Sequence, residues 1–100
     1  MSELKLGVTL PQFTAEPAQV VDAALRAESL GLDSSWVFDH LWPLSGGKER
    51  PALEAWTTLA YLAAATSRID LGTLVTRSTL RQPAVLAKMA ATVAEKLPAG

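Results

Sequence analysis

The chain has 100 residues, 49% hydrophobic and 19% charged, so it is expected to form one globular unit rather than a disordered tail. A formal charge of -1 leaves no basic surface for a nucleic acid, and the lack of cysteine excludes disulfides, thiolate nucleophiles and sulfur-ligated zinc. The opening segment resembles neither a signal peptide nor a membrane span, so a cytoplasmic protein with no membrane partner is expected.

Three times along the chain, a short apolar run is followed by a turn and then by a longer segment with helical spacing. The first run, Leu4 to Leu10, ends at Pro11 because proline lacks a donor for the strand ladder. The helix that follows is expected to begin at Pro17 and to stop at Gly31.

The second predicted strand is Ser34 to Phe38, and the longest irregular connection of the chain follows it. Gly46 and Gly47 are expected to make this connection mobile. From Ala52 to about Ser67 the residues are apolar on nearly all sides, which predicts a helix that lies between two neighbours.

The third predicted strand, Ile69 to Thr76, leads through a short loop at Thr79 to Gln82 into a helix that begins at Pro83. The apolar stripe of this helix is expected to contain Leu86, Met89, Ala90, Val93 and Leu97, before Pro98 ends it.

The alternation of strands and helices indicates an α/β fold with parallel strands. A doubly wound sheet and a (β/α)8 barrel both satisfy the pattern, and periodicity does not choose between them. Because a whole barrel has about 250 residues, three of its units would need roughly 95. The length therefore fits three consecutive βα units of a partial TIM barrel, or a small open sheet.

In parallel α/β folds, reactive groups gather where the carboxyl ends of the strands meet. Asp39 and His40 follow the second strand directly, and His40 is the only histidine in the sequence. An imidazole accepts or donates a proton near neutral pH, and a neighbouring carboxylate can fix its tautomer. In the alternative interpretation, Asp39 caps a turn and His40 is a surface residue of the loop.

Three tryptophans are many for this length. Trp42 lies in the glycine-containing connection, where its indole stacks on a planar ligand or serves as a hydrophobic lid. Trp36 and Trp56 are expected in the core. Arg77 and Arg81 follow the third strand, where they meet either solvent or an anion.

Several kinds of site have no support in the sequence. There is no GxGxxG segment after the first strand, no phosphate-binding glycine loop and no GxSxG turn around a serine. One histidine without cysteine makes a metal site improbable, so no metal is expected.

Four ordered segments carry a resemblance to a known family: LGVTLPQF, LDSSWVFDHL, LEAWTTLAYLAAATSRIDLGTLVT and RQPAVLAKMAATV. They resemble the N-terminal third of luciferase-like monooxygenases, and within that superfamily the branch that uses the deazaflavin coenzyme F420. The resemblance implies that residues 1–100 are a single N-terminal portion of a luciferase-like TIM-barrel domain, without the later barrel units.

The resemblance also implies a cofactor site. Asp39 and His40 would lie at the cofactor ring as the catalytic pair, with His40 in proton transfer or hydrogen bonding. The segment Leu74, Val75 and Thr76 would form a bulge against the ring, commonly with a cis peptide bond at Leu74–Val75. Trp42 resembles a nearby aromatic residue of some members.

The implied function is an oxidoreductase that transfers hydride between coenzyme F420 and a small organic substrate. An FMN-dependent monooxygenase, in which reduced flavin reacts with oxygen, is the alternative within the superfamily. The third hypothesis is a non-catalytic barrel fragment that forms homo-oligomers through exposed sheet edges.

Overall fold

A computed structural model of the chain describes residues 4–95, so the predicted positions of Leu97 and Pro98 lie outside the described residues. The chain forms three βα units, as predicted. Their elements are β1 (Gly7–Thr9), α1 (Pro17–Ser29), β2 (Ser34–Val37), α2 (Ala55–Ala65), β3 (Asp70–Thr73), a 3-10 turn (Ser78–Leu80) and α3 (Pro83–Ala94).

The strands form one parallel sheet in the order β1-β2-β3. Helix α2 packs against α1 on one side and α3 on the other, so all three helices cover the same face of the sheet. A doubly wound sheet would place helices on both faces, whereas a barrel wall carries them on one. The arrangement is therefore an arc of a (β/α)8 barrel, which confirms the predicted fold class and the position of α2 between two neighbours.

The ends of α1 and α3 follow the sequence signals. Both helices begin at the predicted prolines, Pro17 and Pro83. After α1, Gly31 takes a φ of +84°, and the next N–H, from Leu32, donates to the Ala27 carbonyl at 3.0 Å. This is the left-handed stop that the glycine predicted.

Two elements, α2 and β3, are shorter than predicted. The helix expected from Ala52 begins at Ala55, because the Glu54 carboxylate accepts N–H groups at the start of α2 and so acts as its N-cap. The strand expected to reach Thr76 ends at Thr73, where the Leu74 N–H makes a last ladder bond to the Val37 carbonyl at 2.7 Å.

The core lies between the sheet and the helices. Its buried members come from α1, β2, α2 and the residue after β1, and each large aliphatic side chain there stabilises the fold by about 1.5–3 kcal/mol. These residues are Leu10, Val20, Ala24, Val37, Ala55, Leu59 and Leu62. Of the helices in residues 4–95, none is long and apolar enough to cross a membrane.

Trp36 lies on the face of the sheet opposite to the helices. Its register partners are Thr9 in β1 and Gly72 in β3. A Cβ atom on Gly7 would lie 2.7 Å from the indole Nε1, and one on Gly72 would lie 2.5 Å from Cζ3. Glycine in both neighbouring strands therefore makes room for the half-buried indole, which lies outside the helix-covered core.

Glu28, near the end of α1, anchors the turn that leads into β3. Its Oε2 atom accepts the N–H groups of Ser67, Arg68 and Ile69 at 3.0, 2.6 and 2.9 Å. The hydrogen bonds from Ile69 and Arg68 hold the pKa of Glu28 below its usual value, although partial burial opposes them. An ionised carboxylate therefore joins α1 to the N-terminal edge of the sheet.

Replacing this carboxylate should lower stability in a pH-dependent way. The folded state lowers the pKa of Glu28 below its value in the unfolded chain. The stability that Glu28 contributes is therefore fully present above the unfolded-state pKa and is lost as pH falls through the folded-state pKa. We expect Glu28→Gln to lower the free energy of unfolding by about 1 kcal/mol at pH 7, discounted for solvent exposure. Urea denaturation at several pH values measures the difference.

Glu16→Gln is the matched control, because Glu16 precedes α1 without a side-chain capping bond. An equal loss of stability in the two variants, or a Glu28→Gln effect that stays constant down to acid pH, would contradict the anchoring role of Glu28.

Candidate functional site

Two loops leave the sheet side by side at the carboxyl ends of β2 and β3. Val37 pairs with Thr73, so the segments that follow these residues emerge at the same edge. His40 is half-buried on the first loop, and Leu74 and Val75 are 48% and 68% exposed on the second. The Leu74–Val75 peptide bond is cis, as the family resemblance implied.

Asp39 points away from solvent into a set of hydrogen bonds. The side chain is buried, with Oδ2 accepting the Arg77 N–H at 2.7 Å. Arg81 donates to both carboxylate oxygens, from Nη1 at 2.6 Å and from Nη2 at 2.8 Å. Among the hydrogen bonds of residues 4–95, none joins Asp39 to His40, so the carboxylate orients the loop and not the imidazole tautomer.

Arg81 also reaches the start of α2. Its Nη2 donates to Glu54 Oε2 at 2.7 Å, while Glu54 Oε1 accepts the Thr57 N–H at 2.8 Å. The hydrogen bond to Asp39 raises the pKa of Arg81, and the same bond lowers the pKa of Asp39. Burial acts to raise the pKa of Glu54, but the bonds from Thr57 and Arg81 outweigh it and lower that pKa. All three groups are therefore ionised at neutral pH.

Gln12 connects the same edge to β1. The buried amide donates from Nε2 to the carbonyls of Phe38 and Leu53, at 2.6 and 2.7 Å. Its Oε1 accepts the Phe38 N–H at 2.6 Å. One side chain thus satisfies backbone groups at both ends of the connection between β2 and α2.

His40 ends a short row of aromatic rings. The Phe13 and Phe38 rings stack with centroids 5.9 Å apart, and the Phe38 and His40 centroids are 6.2 Å apart in a tilted arrangement. The row gives the edge an apolar side next to the imidazole.

The connection after His40 carries Trp42 on its surface. The indole is 45% exposed, and the Lys48 ammonium lies 4.6 Å from the centroid of its ring. Gly46 and Gly47 have φ values of +86° and +92°, so both turn the loop where other residues would be strained. A ring-stacking role for Trp42 stays a prediction.

Thr76 closes the bulge after β3. Its hydroxyl forms a short hydrogen bond with the hydroxyl of Thr73, across the cis peptide segment. The predicted contact of Thr76 with a cofactor is not tested by this bond, which holds the bulge in place.

The structure brings together residues that the sequence did not connect. Arg81, expected to meet solvent or an anion, is 10% exposed at its side chain and committed to two carboxylates. Gln12 and Glu54 were not identified as functional. Each is a polar residue among apolar neighbours, which is the only hint that the sequence offers. Such a local pattern does not reveal a hydrogen-bond partner far along the chain.

A second concavity lies between α2 and α3, on the outer side of the sheet. It has a volume of about 500 Å³ and is lined mostly by apolar side chains, including Trp56, Val85 and Met89. Trp56 is partly buried and packs against the core from this side, whereas Trp36, also expected in the core, lies on the other face of the sheet. Because the groove is lined by the helices and not by the strand-end loops, it is separate from the edge that carries His40.

Comparison with known proteins identifies the family. The model of the luciferase-like monooxygenase family matches residues 3–97. The chain belongs to this family. The F420-dependent glucose-6-phosphate dehydrogenase of Kineococcus radiotolerans is 42% identical over 94 residues, which are 90% of this chain and 27% of that protein. The enzyme of the same name from Mycobacterium avium is 41% identical over 97 residues, or 94% of this chain and 28% of its own.

A solved structure agrees with the fold. An F420-dependent secondary alcohol dehydrogenase, in complex with an F420-acetone adduct, superposes with a TM-score of 0.76 and 27% sequence identity. The superposition covers 95% of this chain and 29% of that one. The chain thus spans between a quarter and a third of the length of these relatives.

The Gln12 amide can be tested with an isosteric change. In Gln12→Glu, a carboxylate would face the Phe38 and Leu53 carbonyls, so we expect the free energy of unfolding at pH 7 to fall by about 3 kcal/mol. Burial beside carbonyls raises the pKa of the introduced carboxyl in the folded state, so the penalty applies above that pKa and shrinks as pH falls and the group protonates. Chemical denaturation between neutral and mildly acid pH measures both effects.

The control for this change is Gln19→Glu, on the exposed surface of α1. Stability is compared with that of the wild-type chain at each pH, because other carboxyl groups titrate in the same range. A Gln12→Glu protein as stable as Gln19→Glu at pH 7 would refute the linking role of the amide.

Proposed function

We propose that the protein is an F420-dependent oxidoreductase that transfers hydride between the coenzyme and a small organic substrate. The observation that carries this proposal is the juxtaposition of half-buried His40 with the exposed Leu74–Val75 cis segment at one edge of the sheet. The similarity to proteins named as F420-dependent enzymes supports the choice of cofactor.

The residues at this edge fit a planar deazaflavin ring. Such a ring needs apolar surface against its face and polar groups near its rim. Leu74 and Val75 offer apolar surface that is open to solvent, and His40 offers a group that donates or accepts a hydrogen bond. The Asp39 carboxylate, turned into its bonds with Arg81, leaves no exposed anion at this point.

When bound, coenzyme F420 supplies or accepts the hydride. Leu74 and Val75 hold the ring face and exclude water from it, which orients the reacting carbon. His40 holds or moves the proton that accompanies hydride transfer at the substrate oxygen, from an imidazole nitrogen. Thr76 is bonded to Thr73 across the bulge, and Trp42, exposed on the neighbouring loop, would stack on the bound ring.

Asp39 takes part in this proposal through position rather than proton transfer. A carboxylate that accepts three hydrogen bonds and whose pKa is lowered by the Arg81 bond stays ionised at neutral pH. It is therefore a poor proton donor. Its contribution is to fix the backbone on which His40 stands.

FMN is the alternative cofactor, since its ring has similar size and shape. The similarity to F420-dependent enzymes favours the deazaflavin. A deazaflavin carries carbon in place of the N5 atom of the flavin ring and reacts poorly with oxygen. Oxygen consumption with reduced cofactor distinguishes the two functions: an F420-dependent dehydrogenase consumes none, whereas an FMN-dependent monooxygenase consumes it in step with the substrate.

Cofactor titration tests the proposed site. Purified protein is titrated with oxidised F420 and, separately, with FMN, while cofactor and tryptophan fluorescence are followed. We expect saturable binding of F420 and a loss of affinity of about fivefold in Leu74→Ala, because the ring loses apolar contact worth about 1 kcal/mol. Leu30→Ala is the matched control, the same change at a 69% exposed residue at the end of α1.

His40→Ala completes this experiment. It should reduce hydride transfer far more than F420 binding, because in this proposal the imidazole would act on the proton while the apolar bulge would supply most of the contact with the ring. Tighter binding of FMN than F420 would identify the flavin branch. Equal affinities of Leu74→Ala, Leu30→Ala and wild type for F420 would place the ring elsewhere.

Self-association is a second candidate property, favoured by the open edges of the sheet. In the described residues, β1 and β3 each pair on one side only, with β2. Leu6, which precedes β1, is 53% exposed, and Leu74, which follows β3, is 48% exposed. Unpaired strand edges with apolar neighbours are templates for pairing with a second chain.

Sedimentation equilibrium across a wide concentration range tests this property independently of any cofactor. We expect the apparent mass to rise above that of one chain with concentration, because strand addition satisfies backbone groups at both edges. A single-chain mass at every concentration would rule out assembly through these edges.

A further inference from the structure

Arg81 joins both ends of the connection between β2 and α2 to the segment that leads into α3. Its guanidinium binds Asp39 from the loop after β2, with a fork at 2.6 and 2.8 Å, and Glu54 from the start of α2 at 2.7 Å. The Arg81 side chain itself comes from the segment between the 3-10 turn and α3. At 10% and 1% exposure of the two side chains, the Arg81–Asp39 pair is shielded from solvent.

The carboxylate in this fork also holds both halves of the candidate cofactor edge. Asp39 directly precedes His40 in the chain, and its Oδ2 accepts the N–H of Arg77, which lies two residues after Val75. A displacement of Asp39 therefore moves His40 and the end of the bulge relative to each other.

We infer that Arg81 is a positioning residue for the cofactor edge: its bidentate fork fixes Asp39, and through Asp39 it sets the spacing between His40 and the Leu74–Val75 bulge. The part of this inference that concerns F420 rests on the proposed function. The part that concerns the placement of His40 does not.

Lysine cannot replace arginine in this arrangement. A guanidinium presents several N–H donors in one plane, so it reaches both Asp39 oxygens and Glu54 together. An ammonium keeps the charge but offers a single point, and it cannot reproduce the fork. Arg81→Lys therefore removes the geometry while leaving a positive charge beside Asp39.

His40 gives a direct readout, because it is the only histidine of the chain. Its imidazole Hε1 resonance in a two-dimensional ¹H–¹³C NMR spectrum reports one side chain without cofactor present. We expect Arg81→Lys to shift this resonance at constant pH in the folded protein. F420 affinity, measured by titration, should fall by about tenfold because the ring contacts are misplaced.

Arg26→Lys is the matched control, since Arg26 lies in the last turn of α1, at the opposite edge of the sheet. It should change neither the His40 resonance nor F420 affinity. A purely structural role for Arg81 would lower the melting temperature and the folded fraction, but it would leave the chemical shift of His40 and the F420 dissociation constant of the folded molecules unchanged.

Glu54→Gln is the second variant, in case Arg81→Lys does not fold. It weakens one arm of the guanidinium and keeps the Asp39 fork, so the His40 resonance should shift in the same direction by a smaller amount. An unchanged His40 resonance in the folded variants would overturn the positioning role. If wild type binds no F420 while the resonance still shifts in Arg81→Lys, the proposed function fails and the positioning of His40 stands.

Discussion

A buried carboxylate, Asp39, sets the constraint on which the candidate site depends. Removing a carboxylate from water is unfavourable unless it is paired and hydrogen-bonded. Here the Arg81 fork and the Arg77 N–H meet that requirement. Since these donors come from the segment after β3, the loop that carries His40 cannot move independently of the bulge that carries Leu74 and Val75.

At the opposite edge of the sheet a second carboxylate is also held by several hydrogen bonds, but its donors among the described residues are backbone N–H groups alone. There, Glu28 accepts three successive backbone N–H groups from the turn before β3. At both edges an ionised carboxylate joins segments about 40 residues apart in the chain. Charge-assisted hydrogen bonds at the two edges of the sheet thus add to the apolar core between the sheet and the helices. They fix the loops, which contribute few side chains to that core.

Local sequence signals predicted the positions of the strands and helices, and the parallel topology predicted the sheet edge at which the candidate site lies. Apolar runs, Pro17, Pro83 and Gly31 predicted where strands and helices lie, because these features act through neighbouring residues. His40 could be assigned to the strand-end edge because it follows a predicted strand directly and the carboxyl ends of parallel strands meet at one edge. The Asp39 partner could not be predicted, since Arg81 lies 42 residues away and nothing periodic relates the two. The start of α2 was misplaced because the Glu54 cap depends on its local conformation.

The Arg81 fork also connects the candidate site to α3. No residue of α3 is fully buried, although Val93 packs against the core. Gln82, the residue after Arg81, caps the helix by accepting the Val85 N–H at 3.0 Å. The helix therefore begins directly after the residue whose guanidinium binds Asp39, so Arg81 and Asp39 connect the start of α3 to His40.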